Sequence, residues 1–91
     1  MKKYGITKED YESLAEAQNH CCAICNKHVS ENSIDPRTGN CMRLAVDHNH
    51  DTGKIRGLLC NQCNRFIGMA MDSVEILKNA IIYIERETDE I

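Results

Sequence analysis

Hydrophobic side chains recur at two different periods along this chain, and the change of period marks its elements. Tyr11, Leu14, Ala15 and Gln18 fall at helical spacing. Thr7 precedes them with Asp10 three positions on, the pattern of an N-cap with an acidic third residue, so a helix is predicted from about Lys8 to Asn19. The segment His20–Lys27 then breaks the period. From Val29 to Met42 turn formers dominate, Ser-Glu-Asn-Ser and then Asp-Pro-Arg-Thr-Gly-Asn. That predicts a loop without chemistry of its own, solvated or lying near a nucleic acid. Arg43–Asp47 and Ile55–Leu58 read as antiparallel strands joined through Asn49–Lys54, whose Asp, Thr and Gly suit a hairpin connection. A short helix carrying Asn64 and Phe66 should end near Gly68. Asp72 with Glu75 opens a last helix, Ser73 to Glu87, with Val74, Leu77, Ile81 and Ile84 in one stripe and Ile76, Ala80 and Tyr83 widening it. That stripe is expected to pack on the core, with dimerisation as the alternative. One hairpin among helices makes an α+β chain, and its length allows a single domain over residues 1–91.

Core material is scarce in that domain. The chain has one Phe, three Tyr and no Trp, and a domain of this size buries only about 60–65% of its extended surface. Such a fold needs a staple. Cys22-x-x-Cys25 and Cys60-x-x-Cys63 provide one, as two chelating turns whose four thiolates can close a tetrahedron around zinc. Cys21 could replace Cys22 at the longer spacing, although symmetry with the second pair favours Cys22. Three disulfides in a secreted protein are the other use of six cysteines. The absence of a signal peptide and the short spacing weigh toward a metal and a reducing cytoplasm. Cys41 has no mate and reads as a free thiol, and His20 and His28 as surface or packing residues. No apolar run approaches the ~20 residues of a membrane span.

A net charge of −3 speaks against nucleic acid, but the charge is unevenly placed. Residues 1–20 carry −1, residues 21–68 carry +2 and residues 69–91 carry −4. Polyanion affinity is therefore expected to be modest, salt-sensitive and local to the middle segment. Arg56 is the basic residue best placed to meet phosphate, with a salt bridge to Asp47 or Asp51 as the alternative; Lys54 and Arg65 fit a generic phosphate-facing role.

Enclosed by the cysteine pairs lies Asp47-His48-Asn49-His50, with Asn64 just past the last thiolate. Asp47 ends a strand at the entry to the hairpin. Its carboxylate and the Asn64 side-chain carbonyl are oxygen donors of the kind that Mg²⁺ or Mn²⁺ prefers. His48 could take a proton from water near neutral pH, the cation clamping a scissile phosphate and stabilising the leaving 3′-oxygen. Asp and His are also ordinary turn residues, but their nearness to the four-cysteine frame and Asn64 favours chemistry. His50 either orients phosphate or is a polar turn residue.

These residues resemble the recombination endonuclease VII family, phage enzymes of the HNH or ββα-metal nuclease group. The resemblance starts at Tyr4-Gly5-Ile6-Thr7, passes Tyr11, Gln18 and Cys22-Ala23-Ile24-Cys25, and runs from Leu44 through Lys54 and Ile55 through Asn64 to Gly68. It implies a small ββα-metal (HNH, or His-Me finger) domain stapled by a four-cysteine structural zinc, with flanking N- and C-terminal helices. It also implies zinc on Cys22, Cys25, Cys60 and Cys63, a catalytic Mg²⁺ or Mn²⁺ on Asp47 and Asn64, His48 as general base and His50 assisting at the phosphate. DNA is then the substrate, in the cytoplasm of a phage-infected bacterium, with a second copy or a phage DNA-processing protein as candidate partner. The family's best-known activity is cleavage of branched DNA such as Holliday junctions. Its resolvases are longer, with an additional C-terminal part that builds a dimer, so cutting or nicking of duplex DNA is an equal expectation for this chain. From another class, a noncatalytic tetrathiolate zinc module binding nucleic acid or protein would also satisfy the cysteines.

Overall fold

The computed structural model describes residues 6–87; Tyr4 and Gly5, which open the resemblance, lie outside them. Helix α1 spans Lys8–Ala17. The expected cap forms as a full capping box, the Thr7 hydroxyl accepting from the Asp10 N–H and the Asp10 carboxylate from the Thr7 N–H. The helix ends two residues before the expected Asn19. Asn19 and His20 take left-handed backbone angles (φ 55° and 60°), a conformation that stops a helix and suits Asn.

Strands β1 (Ala45–His48) and β2 (Ile55–Leu59) form a two-stranded antiparallel sheet. Asp47 pairs with Gly57 and His48 with Ile55, which leaves Arg56 as the extra residue of a bulge. Helix α2 (Asn61–Met69) follows directly and packs against both strands. The described residues form a small α+β fold of one hairpin and three α-helices. Among the described residues no helix is long and apolar enough to cross a membrane.

The core is built around sulfur. Ala15, Leu44, Leu58 and Leu59 are buried together with Cys22, Cys60 and Cys63, and Tyr11, Leu14, Val29, Val46 and Ile67 pack around them. Two amides tie the pieces together. Gln18 donates to the carbonyls of Cys21 and Leu58 and accepts from the Leu58 N–H at 2.9 Å, so the end of α1 pairs with β2 as a strand would. A Cβ on Gly57 would sit 3.0 Å from that same Gln18 oxygen and would press on this amide.

The second amide corrects the reading of the 29–42 segment as a plain loop. It contains a short 3-10 helix (Val29–Glu31), N-capped by the His28 ring, and a bridge between Ile34 and Cys41. Asn32 is buried; it donates to the Met42 and Arg43 carbonyls and accepts from the N–H groups of Ser33 and Asn61. It thereby fastens the segment to the start of α2. Asn32→Ala would take the side-chain partner from those four backbone groups, and a loss of about 1–3 kcal/mol is expected in denaturant unfolding of the zinc-loaded protein. An unchanged midpoint would show that the amide is dispensable.

Helix α3 (Val74–Glu85) departs from expectation twice. Ser73, not Asp72, is its N-cap, the hydroxyl accepting from the Ile76 N–H. And its apolar stripe does not join the core. None of its residues is buried: Leu77 and Ala80 are half-buried, while Val74, Ile81 and Ile84 are 56–78% exposed. The cause is the junction with α2, where Met71 and Asp72 are both left-handed (φ 57° and 55°) and send α3 away from the sheet.

Candidate functional site

Two constellations meet at the hairpin, one of sulfur and one of ionic side chains. Cys22 and Cys25 lie on a turn that follows α1, with Asn26 left-handed (φ 66°) and closed by a bridge between Cys21 and His28. Cys60 is the N-cap of α2, its sulfur accepting from the Cys63 N–H, so α2 presents its positive end to two thiols. The sulfurs of Cys22, Cys25, Cys60 and Cys63 all lie within 4.8 Å of one another, and those of Cys25 and Cys60 are 3.8 Å apart. Four sulfurs ~2.3 Å from one tetrahedral zinc stand about 3.8 Å apart, so the cluster has the size that zinc requires. Cys22 rather than Cys21 belongs to it; the Cys21 thiol turns to the Asn19 carbonyl.

The electrostatics of the cluster also call for a cation. Burial opposes ionisation of Cys22, but backbone hydrogen bonds at Cys60, Cys25 and Ile24, and a further one from the Cys25 side chain, outweigh it and bring that thiol down to about 6. Cys63 moves the other way, pushed up by burial, then by hydrogen bonds with the neighbouring thiols and by the charge of Cys22. One sulfur ionises readily and makes the next harder to ionise. A divalent ion removes that conflict. With four protein sulfurs around it, a zinc ion held here would have no open position, as in structural sites.

The ionic constellation is organised by the bulge. Arg56, the unpaired residue of β2, turns its guanidinium onto Asp47: Nε donates to Oδ2 at 2.7 Å and Nη2 to Oδ1 at 3.1 Å. Nη2 also reaches Oδ2 of Asp72 at 3.3 Å, and the His50 Nε2 lies 3.4 Å from that same oxygen. The hydrogen bond to Asp47, reinforced by the charges of Asp47 and Asp72, raises the Arg56 pKa against the effect of burial. The rings of His48 and His50 are 5.0 Å apart. His48 is half-buried; Asn64, Lys54 and Arg65 are exposed, Asn64 in the first turns of α2 next to Cys63. Asn49 shapes the connection, its side-chain oxygen accepting from the N–H groups of Asp51 and Thr52. An open cleft of about 480 Å³ runs along this edge, lined by His50, Arg56, Gly68 and Asp72 among others.

Arg56 makes the salt bridge with Asp47. The sequence pattern marks Asp72 only as the opening of the last helix. The structure brings it to the site from a left-handed position, and the adjacent Ser73, able to cap the same helix, is the signal in the sequence that Asp72 is free for other use.

A comparison with known families matches residues 1–86 to the model of recombination endonuclease VII. The chain belongs to that family. Among curated relatives, the Gene 59 protein of Mycobacterium phage D29 is 43% identical over 87 residues, 94% of this chain and 47% of that protein. The Gene 59 protein of Mycobacterium phage L5 is 42% identical over 85 residues, 92% of this chain and 46% of that protein. This family member thus spans about half the length of the curated relatives it matches.

Proposed function

We propose that the chain is a DNA endonuclease of the HNH (ββα-metal) type that hydrolyses phosphodiester bonds in duplex or branched DNA. The observation that carries this reading is the position of Asp47 and His48: they end β1 at a bulge, beside a helix whose first turn holds both Cys63 and Asn64. Membership of the endonuclease VII family supports it.

The residues divide the work as follows. Asp47 and Asn64 offer oxygen ligands to a divalent ion. The Asp47 carboxylate accepts two hydrogen bonds from Arg56, a contact that a divalent ion would replace. Bound there, Mg²⁺ or Mn²⁺ supplies charge stabilisation for the scissile phosphate and the leaving 3′-oxygen. His48 accepts the proton of the attacking water, a task suited to an imidazole near neutral pH. His50, at the mouth of the cleft, orients a phosphate oxygen. Lys54, Arg56 and Arg65 face the DNA backbone and give it a salt-dependent hold. Zinc on the four cysteines keeps the hairpin and α2 in register and takes no part in the reaction. The setting is the cytoplasm of a phage-infected cell.

A noncatalytic zinc module is the second reading, and the saturation of Asp47 by Arg56 is the observation in its favour. Cleavage of end-labelled linear and four-way-branched DNA in Mg²⁺ or Mn²⁺ separates the two. Asp47→Ala should reduce the rate by at least about a hundredfold with zinc content unchanged. Equal rates for variant and wild type would remove Asp47 from the mechanism.

A further inference from the structure

Arg56 stands on the wall between two hollows. On one side it lines the open cleft with His50 and Asp72; on the other it lines a smaller hollow of about 280 Å³ with Asp47, Gly57, Leu59 and Ile67. Its guanidinium spans the divide, with two hydrogen bonds to Asp47 and one to Asp72. Both carboxylates are largely covered, at 12% and 22% side-chain exposure, whereas the arginine between them is 38% exposed. Arg56 is also the extra residue of the bulge.

A guanidinium and a divalent cation cannot share the Asp47 carboxylate without repelling each other. The arginine needs a second anion if it is to leave Asp47 and stay at the site. Asp72 is that anion, already bonded to Nη2, one of the two nitrogens that Arg56 gives to Asp47. We propose that Asp72 is a positioning residue of the metal site: it takes over Arg56 when Asp47 is given to a divalent cation, and holds the guanidinium at the cleft, facing the phosphate. The contact with Asp47 is then the metal-free position of Arg56 and the contact with Asp72 the working one. His50 Nε2, on the same Asp72 oxygen, is held at the cleft by the same carboxylate.

This inference rests on Asp47 being the metal ligand, and the test separates the two. Mn²⁺ affinity is measured without DNA, by calorimetry or by the EPR signal of free Mn²⁺, on protein carrying one zinc per chain and with an unchanged circular dichroism spectrum. Asp47→Ala should abolish binding; binding that survives it would overturn the reading of the site itself. Arg56→Met, which removes the competing cation, should tighten Mn²⁺ several-fold. Asp72→Asn, which leaves Arg56 only Asp47 to bind, should weaken it about five- to tenfold. The double variant decides the matter. If Asp72 acts through Arg56, most of the loss from Asp72→Asn disappears in the Arg56→Met background. A loss of equal size in both backgrounds, or no loss in either, would overturn the positioning role while leaving Asp47 as ligand.

Discussion

Cys63→Ser should leave the protein without its zinc and without its fold. Three of the four clustered sulfurs, those of Cys22, Cys60 and Cys63, are themselves members of the hydrophobic core, in contact with the leucines that close it. Core and metal site are therefore one object. A structural zinc in small peptides is worth about 10–16 kcal/mol, as much as the whole ~5–15 kcal/mol by which a domain is held folded. Without it, Cys22 and Cys63 place thiols, one of them readily ionised, in a buried cluster with no counter-charge. The check is zinc content by elemental analysis together with amide NMR, on the variant and on wild type treated with a strong chelator. Both should show less than one zinc per chain and collapsed amide dispersion. A dispersed spectrum from metal-free protein would mean that the apolar contacts suffice.

The second large effect belongs to His48. If this imidazole accepts the proton of the attacking water, His48→Ala should slow single-turnover cleavage by about 10²–10⁴-fold, the range that general-base catalysis spans. Zinc content and thermal stability should stay at wild-type values, because His48 is half-buried at the end of β1 and outside the sulfur core. His50→Ala should cost less, since its ring sits at the exposed mouth of the cleft, bound to Asp72. Equal losses from the two variants would instead point to a shared structural role for the adjacent rings.

Much of the fold was legible because its determinants are local. The Thr7–Asp10 box, the two Cys-x-x-Cys turns and the hairpin connection are each decided within a few residues, and the four sulfurs come together as their spacing implies. What escaped depends on backbone choices that period and composition do not encode. The bulge at Arg56 inserts a residue without changing the apolar pattern, yet it turns the arginine onto Asp47. Left-handed Met71 and Asp72 leave the stripe of α3 amphipathic on paper and exposed in space, and they carry Asp72 into the cleft. Asn32 looked like one polar residue in a polar loop, because its partners, apart from the neighbouring Ser33, are backbone groups about ten and twenty-nine positions away.

Nicking of supercoiled plasmid by zinc-loaded wild type tests the central claim most directly, run beside His48→Ala in Mg²⁺, in Mn²⁺ and without added divalent ion. The account predicts relaxed circles from wild type only where Mg²⁺ or Mn²⁺ is present, and almost none from the variant. Intact plasmid in every lane, from folded protein with one zinc per chain, would contradict it and leave a zinc module that does not cut.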